Sequence, residues 1–274
     1  MALQSKKSNK LTNSEQLSIQ ISLSGLSFCI LNSNTNTISF LKDMYFDKKL
    51  NPLELLDVLI EQFNTEHVLN NTFSSVCVIH DNDISALVPK PLFNEDALAD
   101  YLKFNSKILK SDFITFDDIL INDSVNVYVP YININNFIYD KFGTFTFKHV
   151  STVLISEILQ IEKHSEDIKF YVHVGKNHFE TIVVDKSKLL HYNTFKYLTK
   201  EDFIYFILFT IEQLNLNPET LNLILIGDIV KDDNLFNIAY KYIRHVSFGD
   251  RHDSYKYEYQ PNSKYSNFSL IKSF

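Results

Sequence analysis

The order of predicted strands and helices occurs twice along this chain, and such repetition limits the possible folds more than any single motif does. In the first half, three β-prone runs precede an amphipathic helix and a buried run follows it, at 19–23, 27–31, 37–41, 52–63 and 75–79. In the second half the corresponding segments lie at 169–174, 179–184, 189–193, 203–214 and 221–226. The sequence therefore predicts an α/β protein with two β-β-β-α-β halves.

Local signals mark the start of each repeated helix. Asn51 is placed to cap the first helix, with Pro52 at its first position and Glu54 at its third. Thr199 is placed to cap the second helix, with Asp202 three residues later. The second helix is apolar on nearly all sides, so we expect it to lie buried between layers.

Further elements are predicted between and after the repeats. Helices are expected at 97–102, 133–142 and 151–163 and from 232 onward, and strands at 125–129, 144–148 and 245–248. The tail from Arg251 is expected to be a loop followed by a final strand. Its alternating Tyr255, Tyr257 and Tyr259 would line one face of that strand, where packing on the body is favoured over a partner surface.

Composition excludes several classes of protein. The 274 residues are 45% hydrophobic and 22% charged, which is a globular balance, and the formal net charge of -7 provides no basic field for nucleic acid. The longest apolar stretch, 203–211, is shorter than the roughly 20 residues of a membrane span, so no transmembrane segment is expected.

Cys29 and Cys77 each lie in an apolar run, which predicts two buried thiols in a reducing compartment. The polar residues 1–16 contain no apolar signal segment, so we expect a disordered leader and a cytoplasmic protein.

Two segments carry a resemblance to known proteins, the opening run 17–28 and the run 125–159 with Pro130, Phe145 and His149. With the repeated order of elements, they resemble the actin-like ATPase fold, a duplicated ribonuclease H-like fold of actin, sugar kinases, heat-shock chaperones and bacterial pilus and secretion scaffold proteins. More closely, the chain is similar to an uncharacterised domain-of-unknown-function family from Bacteroidetes assigned to that fold. The resemblance implies a bacterial protein with a first half at 17–150 and a connecting helix plus second half at 151–274, and it supplies no activity.

The resemblance also indicates where a nucleotide would bind. Active members of the fold carry an Asp-x-Gly turn in the first hairpin of each half, where the carboxylate holds Mg²⁺ waters and the glycine lets backbone N–H groups approach phosphates. Here Ser22 and His173 occupy the two Asp positions. The adenosine-side turn, usually Gly-Gly, is Gly227-Asp228, which places a carboxylate near any triphosphate. All three motifs therefore depart from the nucleotide pattern.

The candidate ligand cleft extends to neighbouring turn residues. Lys176 could face an anion as a point charge, although a Lys-Asn pair is ordinary hairpin-turn chemistry. His80 and Asp81 could pair as a base and its orienting group at a strand end, although such pairs more often cap the next turn. The full predicted cleft is Ser22, Ser24, Gly25, His80, Asp81, His173, Gly175, Lys176, Gly227 and Asp228.

Other catalytic arrangements are not supported. The nine histidines include His173 near His178 and Glu180 on paired strands, yet no spacing matches His-x-x-x-His or Cys-x-x-Cys, so no metal site is expected. The Ser22 to Gly25 turn lacks the glycines and strand-to-helix context of a hydrolase nucleophile. A ribonuclease H-like nuclease would need a carboxylate on the first strand, where Ser22 stands. No catalytic residue is therefore assigned.

The missing carboxylates favour a non-catalytic actin-like scaffold or protein-interaction module with degenerate nucleotide motifs. Such a pseudo-ATPase would need no cofactor and would bind a protein partner. One alternative is a divergent nucleotide-binding, ATPase-like protein, in which Asp81, Asp185 or Asp228 would serve ATP and Mg²⁺. A second alternative is a metal-dependent enzyme that uses the histidines.

Overall fold

Two large sheets, one built mainly from each half of the chain, form the body of the protein; the structure, a computed structural model, describes residues 14–274. The first sheet consists of β1 (Glu15–Ser22), β2 (Gly25–Asn32), β3 (Thr37–Tyr45), β4 (Ser75–His80), β8 (Thr146–His149) and β14 (Lys256–Tyr257). Its strand order is β14-β3-β2-β1-β4-β8. The first three strands form an antiparallel meander, and β4 then adds parallel to β1.

The second sheet repeats this arrangement. It consists of β9 (Lys169–Val174), β10 (His178–Asp185), β11 (Lys188–Lys196), β12 (Asn222–Gly227) and β13 (His245–Phe248), in the order β11-β10-β9-β12-β13. Here too an antiparallel meander is followed by a strand, β12, that lies parallel to the first strand of the half. In both halves this parallel pairing brings the ends of the first and fourth strands to the same edge of the sheet. The predicted α/β class and the order of elements are confirmed.

The helices are α1 (Pro52–Thr65), α2 (Leu98–Leu102), α3 (Ile132–Phe142), α4 (Val150–Ile161), α5 (Lys200–Gln213), α6 (Asn234–Tyr242) and α7 (Phe268–Ile271). Short 3-10 turns lie at His67–Asn70, Lys90–Leu92, Glu95–Ala97 and Leu120–Asn122. Both predicted capping boxes are present, Asn51 with Glu54 on α1 and Thr199 with Asp202 on α5. No helix within residues 14–274 combines the length and the apolar character needed to cross a bilayer.

A third, small sheet is inserted between β4 and α3. Its strands are β5 (Ser85–Pro89), β6 (Thr115–Ile119) and β7 (Ser124–Tyr128), all antiparallel in the order β5-β7-β6. Only β7, which is buried along its whole length, was predicted from its apolar pattern. The strands β5 and β6 are half-exposed and five residues long, which leaves little periodic signal in their sequences.

The connecting helix α4 lies between the two large sheets. Its residues Leu154, Ile155 and Ile158 belong to one buried cluster with Ile79 of the first sheet and Ile182 of the second. Each half also has its own core. The halves therefore share a third, continuous apolar core built around α4.

The prediction that the repeated second helix lies buried between layers is wrong. In α5, Phe203, Ile207 and Ile211 are buried, whereas Tyr205 is 60% exposed and Phe209 is 44% exposed. The two exposed rings stack on one another at 6.2 Å between centroids. Only one face of α5 meets the sheet, so the helix presents an aromatic surface to solvent.

The tail returns to the first half through a loop and the predicted final strand, β14, and then ends in a helix that was not predicted. β14 pairs with β3 at the sheet edge, and α7 packs on β1 and β2. Tyr255 and Tyr257 pack against the cluster that contains Cys29 and Leu270, as favoured by the sequence, whereas Tyr259 is 52% exposed.

One boundary prediction and one burial prediction also change. β1 begins at Glu15, so the last two residues of the predicted leader 1–16 form part of a strand, and residues 1–13 lie outside the described residues. Cys29 is buried as predicted, but Cys77 is only partly buried.

Candidate functional site at the junction of the two halves

Nine of the ten predicted cleft residues line one cavity between the two sheets, where strand ends from both halves meet. These residues are Ser22, Ser24, Gly25, Asp81, His173, Gly175, Lys176, Gly227 and Asp228. The volume of the cavity is about 60 Å³. Pockets that bind small molecules usually enclose roughly 300–1,000 Å³, so this cavity has room for water or an ion.

The tenth residue, His80, does not line this cavity. Its ring is fully buried, Nδ1 accepts a hydrogen bond from the Tyr131 backbone N–H at 3.2 Å, and Nε2 lies 2.9 Å from Asn135 Oδ1. Burial lowers the pKa of His80 to about 3. The proposed pairing of His80 with Asp81 is therefore wrong, because successive strand residues point to opposite faces and His80 faces α3.

The first hairpin turn is closed by hydroxyl groups and backbone. Ser22 Oγ lies 2.9 Å from Ser24 Oγ and accepts a hydrogen bond from the Ser24 N–H at 3.1 Å. A Cβ atom on Gly25 would lie 2.5 Å from the carbonyl oxygen of Met44, so the close approach of β3 requires glycine here.

Lys176, the predicted anion contact, forms a hydrogen bond across the cleft. Its Nζ donates to the Phe46 carbonyl oxygen at 2.5 Å and lies 5.7 Å from the centre of the Tyr45 ring. The lysine thus links the β9–β10 turn, the first hairpin of the second half, to the end of β3 in the first half.

The turn at Gly227 and Asp228 is fixed by backbone. Gly227 has φ of +87°, and a Cβ atom there would lie 2.4 Å from the Val174 carbonyl oxygen. The same oxygen accepts from the Asp228 N–H at 2.7 Å. The Asp228 side chain in turn accepts a hydrogen bond from the Tyr45 hydroxyl at 2.7 Å, which closes the cleft from the other half.

The centre of the junction is a group of three converging side chains, Asp81, His178 and Glu180. His178 Nε2 lies 3.0 Å from Asp81 Oδ1 and 3.3 Å from Glu180 Oε1. All three atoms are buried, and none has a hydrogen-bond partner of acceptable geometry, because the Nε2–H direction is aligned with neither oxygen. Asp81 follows β4 of the first half, whereas His178 and Glu180 share one face of β10.

The charges of this group are strongly coupled. Burial by itself lowers the pKa of His178, but the Asp81 and Glu180 carboxylates outweigh burial and hold that pKa well above its ordinary value. Burial likewise raises the pKa of Glu180, while His178 and the hydrogen bond from His173 lower it, with a net shift downward. A positive charge at the His178 position is therefore strongly favoured.

Outer contacts orient both carboxylates. Gln20 Nε2 donates to Asp81 Oδ2 at 3.1 Å, and Ser269 Oγ donates to Gln20 Oε1 at 2.6 Å. His173 Nδ1 lies 2.7 Å from Glu180 Oε2. Each carboxylate is thus held through one oxygen, and its other oxygen is directed at His178 Nε2.

A larger groove runs beside the cavity. Its volume is about 690 Å³, and its walls come from α3, the second hairpin turn and the loops after β4 and α2. Three exposed apolar side chains line it: Leu198 is 94% exposed, Leu109 is 60% exposed and Ile132 is 43% exposed. The salt bridge between Lys196 and Asp83, at 2.5 Å, joins the two halves next to it. Exposed apolar side chains that converge on a groove are typical of protein-binding surfaces.

Sequence reasoning missed Tyr45 and Gln20, and it noted His178 and Glu180 near His173 but assigned them no role. The register of β9 and β10 brings His173 opposite Glu180, and the two-residue period puts His178 on the same face as Glu180. That part of the group was visible in the sequence. The approach of Asp81 was not, because it depends on how the halves pack.

At the two turns where active members of the fold carry Asp, Ser22 and His173 supply no carboxylate. The cavity of about 60 Å³ is also smaller than a usual small-molecule pocket. Tyr45 and Lys176 already bridge the two halves across it.

Comparisons with known proteins identify a family and a fold. A family model described as "Protein of unknown function (DUF3822)" matches residues 4–246. No match is found among curated proteins. A solved structure from Bacteroides thetaiotaomicron, described as a protein with actin-like ATPase fold and unknown function, is 23% identical, with a TM-score of 0.78 over 87% of this chain and 91% of that one.

Two more distant structures share the fold. The PilM-PilN type IV pilus biogenesis complex matches with a TM-score of 0.58 and 13% identity, over 89% of this chain and 90% of that one. The ethanolamine utilization protein EutJ from Carboxydothermus hydrogenoformans matches with a TM-score of 0.50 and 8% identity, over 88% and 86%. At these identities the similarity shows the fold alone: the predicted actin-like ATPase fold is confirmed.

Proposed function

Because the chain belongs to the DUF3822 family, which has no assigned function, and has the actin-like ATPase fold, we propose that it is a non-catalytic protein-interaction module of that fold. The observation that carries this proposal is the closed cleft. The Tyr45 hydroxyl bonds to Asp228 across the position where members of the fold hold nucleotide, and only about 60 Å³ remains beneath it.

The groove beside the cleft supplies the interaction surface. Leu109, Ile132 and Leu198 expose apolar area there that a monomeric enzyme would normally bury, and the groove is large enough for an extended or helical segment of a partner. A similar fold occurs in PilM, which was solved in complex with PilN, and this supports a role in protein assembly for the fold. The partner would be a protein, and nucleic acid is disfavoured by the net charge of -7.

Titration calorimetry with ATP and ADP plus Mg²⁺ tests the non-catalytic part. We expect no binding heat for the wild type or for Asp228→Ala. A saturable heat with one nucleotide per chain, lost in Asp228→Ala, would instead support the divergent nucleotide-binding protein.

Site-specific crosslinking tests the interaction part. A photoreactive residue at Leu198 should capture one partner in cells, whereas one at Tyr240, which is 64% exposed but does not line the groove, should not. Equal capture at both positions, or capture abolished by neither Leu109→Ser nor Ile132→Ser, would contradict the assignment of the groove.

A further inference from the structure

We propose that Asp81, His178 and Glu180 bind a divalent transition-metal ion of the Zn²⁺ type at the junction of the two halves. The donor atoms are Asp81 Oδ1, His178 Nε2 and Glu180 Oε1, which all lie within 4.8 Å of one another. The inference is independent of the proposed interaction with a protein partner.

The first argument is spacing. A tetrahedral ion with ligand bonds of about 2.0–2.1 Å holds its donor atoms about 3.3 Å apart. His178 Nε2 stands 3.0 Å from one carboxylate oxygen and 3.3 Å from the other. Two of the three donor pairs therefore already stand near the separation that a shared ion requires, and the two carboxylate oxygens lie within 4.8 Å of each other.

The second argument is unsatisfied polarity. Glu180 is fully buried and Asp81 is 7% exposed, yet Glu180 Oε1 and Asp81 Oδ1 both lack an aligned donor. A single N–H on His178 can point at only one of these oxygens, so the other keeps no donor, although His173 contacts Glu180 through Oε2. Buried carboxylate oxygens without a donor are costly, and a divalent ion would satisfy all three atoms at once.

The third argument is the outer shell. Ligating carboxylates and imidazoles in metalloproteins are held by hydrogen bonds through their other polar atoms. Here Gln20 holds Asp81 Oδ2 and His173 holds Glu180 Oε2, which leaves the converging oxygens free to bind. Gly175 supplies room for the ring, since a Cβ atom there would lie 3.1 Å from His178 Cε1.

The donor set selects the class of ion. An imidazole nitrogen with two carboxylates suits Zn²⁺ and its first-row neighbours, whereas Mg²⁺ prefers an octahedral shell of oxygen. Because Asp81 and His178 also line the small cavity, a water would complete the coordination from that side. Since Asp81 belongs to the first half and the other ligands to the second, the ion would join the two halves.

The test is titration of chelator-treated, full-length protein with Zn²⁺, and separately with Mg²⁺, followed by calorimetry, with Co²⁺ as a visible-absorbance probe. We expect one Zn²⁺ per chain, an upward shift of Tm on adding Zn²⁺, Co²⁺ bands of low-coordinate geometry, and no response to Mg²⁺. His178→Gln and Asp81→Asn should abolish the bands, and Gln20→Ala should weaken Zn²⁺ affinity by about 10–100-fold.

His245→Gln is the matched control, because this histidine is exposed at the start of β13 and lies outside the group. It should bind Zn²⁺ as the wild type does, and circular dichroism of each metal-free variant should confirm its fold. The proposal is overturned if the wild type takes up no stoichiometric Zn²⁺, a result that needs no variant, or if folded His178→Gln binds Zn²⁺ with unchanged affinity.

Discussion

The Tyr45 hydroxyl donates a 2.7 Å hydrogen bond to Asp228, and this single contact connects the last strand of the first meander with the turn that follows β12. A small cavity lies at this junction between the two halves. Here the side chains of the protein itself span it.

Tyr45→Phe tests whether the cleft is blocked only by this hydrogen bond or also lacks the side chains needed to bind a nucleotide with Mg²⁺. Tyr45 is 50% exposed, so loss of this bond should lower the free energy of unfolding by about 1 kcal/mol or less. The variant should still bind no ATP with Mg²⁺, because Ser22 and His173 supply no carboxylate. Urea denaturation and calorimetry measure the two effects; nucleotide binding gained by the variant would show that closure alone blocks the site.

Gly227→Ala should destabilise the junction strongly. Alanine is strained at φ of +87°, and its Cβ would stand 2.4 Å from the backbone oxygen of Val174, so we expect a loss of about 2–4 kcal/mol. Gly143→Ala is the control, since Gly143 has φ of +74° with nothing within 4 Å of an added Cβ. It should cost less, about 1–2 kcal/mol, from backbone strain alone. Equal losses by thermal or urea unfolding would contradict the close-contact argument.

Stability should fall in acid through His149, the N-cap of α4. Its Nδ1 accepts a hydrogen bond from the Ser151 N–H, its Nε2 lies 3.1 Å from the Asn82 carbonyl oxygen, and burial lowers its pKa from 6.5 to about 4, although Asp81 and Glu180 partly oppose that shift. Above pH 6.5 the ring is neutral in both the folded and the unfolded chain, so its full contribution to the free energy of unfolding is present. As pH falls from 6.5 through 4, the unfolded chain takes up the proton first and that contribution is lost.

The matched variant is His149→Asn, which retains a side-chain acceptor for the helix N-terminus. It should be less stable than the wild type at pH 7. The difference in free energy of unfolding between the two proteins should shrink by about 3 kcal/mol towards pH 4, because only the wild type has a histidine that titrates at this position. Urea unfolding in the presence of a chelator at several pH values measures the gap. A gap that stays constant would mean that His149 titrates alike in both states.

The two faces of α5 should respond differently to truncation. Phe203 is fully buried and packs on Phe179 at 4.8 Å between ring centroids, so Phe203→Ala should cost about 3–5 kcal/mol. Phe209 is 44% exposed, and Phe209→Ala should cost about 1 kcal/mol or less. Chemical denaturation of both variants checks the pair, and similar large losses would restore the predicted burial of the whole helix.

Much of the fold could be predicted because its signals are local. Asn51 and Thr199 cap helices through side chains a few residues away, and the meanders follow alternating or continuous apolar runs. The helix α5 misled this reasoning, since apolar side chains prefer burial and the sequence alone does not show that Phe209 is one of those left exposed.

The site was harder to predict than the fold. Turn residues such as Gly25 and Gly227 were placed correctly because the resemblance fixes the ends of strands. Asp81 and His178 come together only when the halves pack, and the direction of His80 depends on one step of strand register. Spacing rules for metal ligands cover single segments and do not detect donors contributed by two halves.

The return of the tail to the first sheet also sets an order of assembly. The second sheet is complete within residues 169–248, so its strands can pair as soon as that segment leaves the ribosome. The first sheet begins at residue 15 but receives β14 and α7 only from residues 256–271. In synthesis from the N-terminus, the edge of β3 and one face of β1 therefore remain uncovered until residues 256–271 have been made.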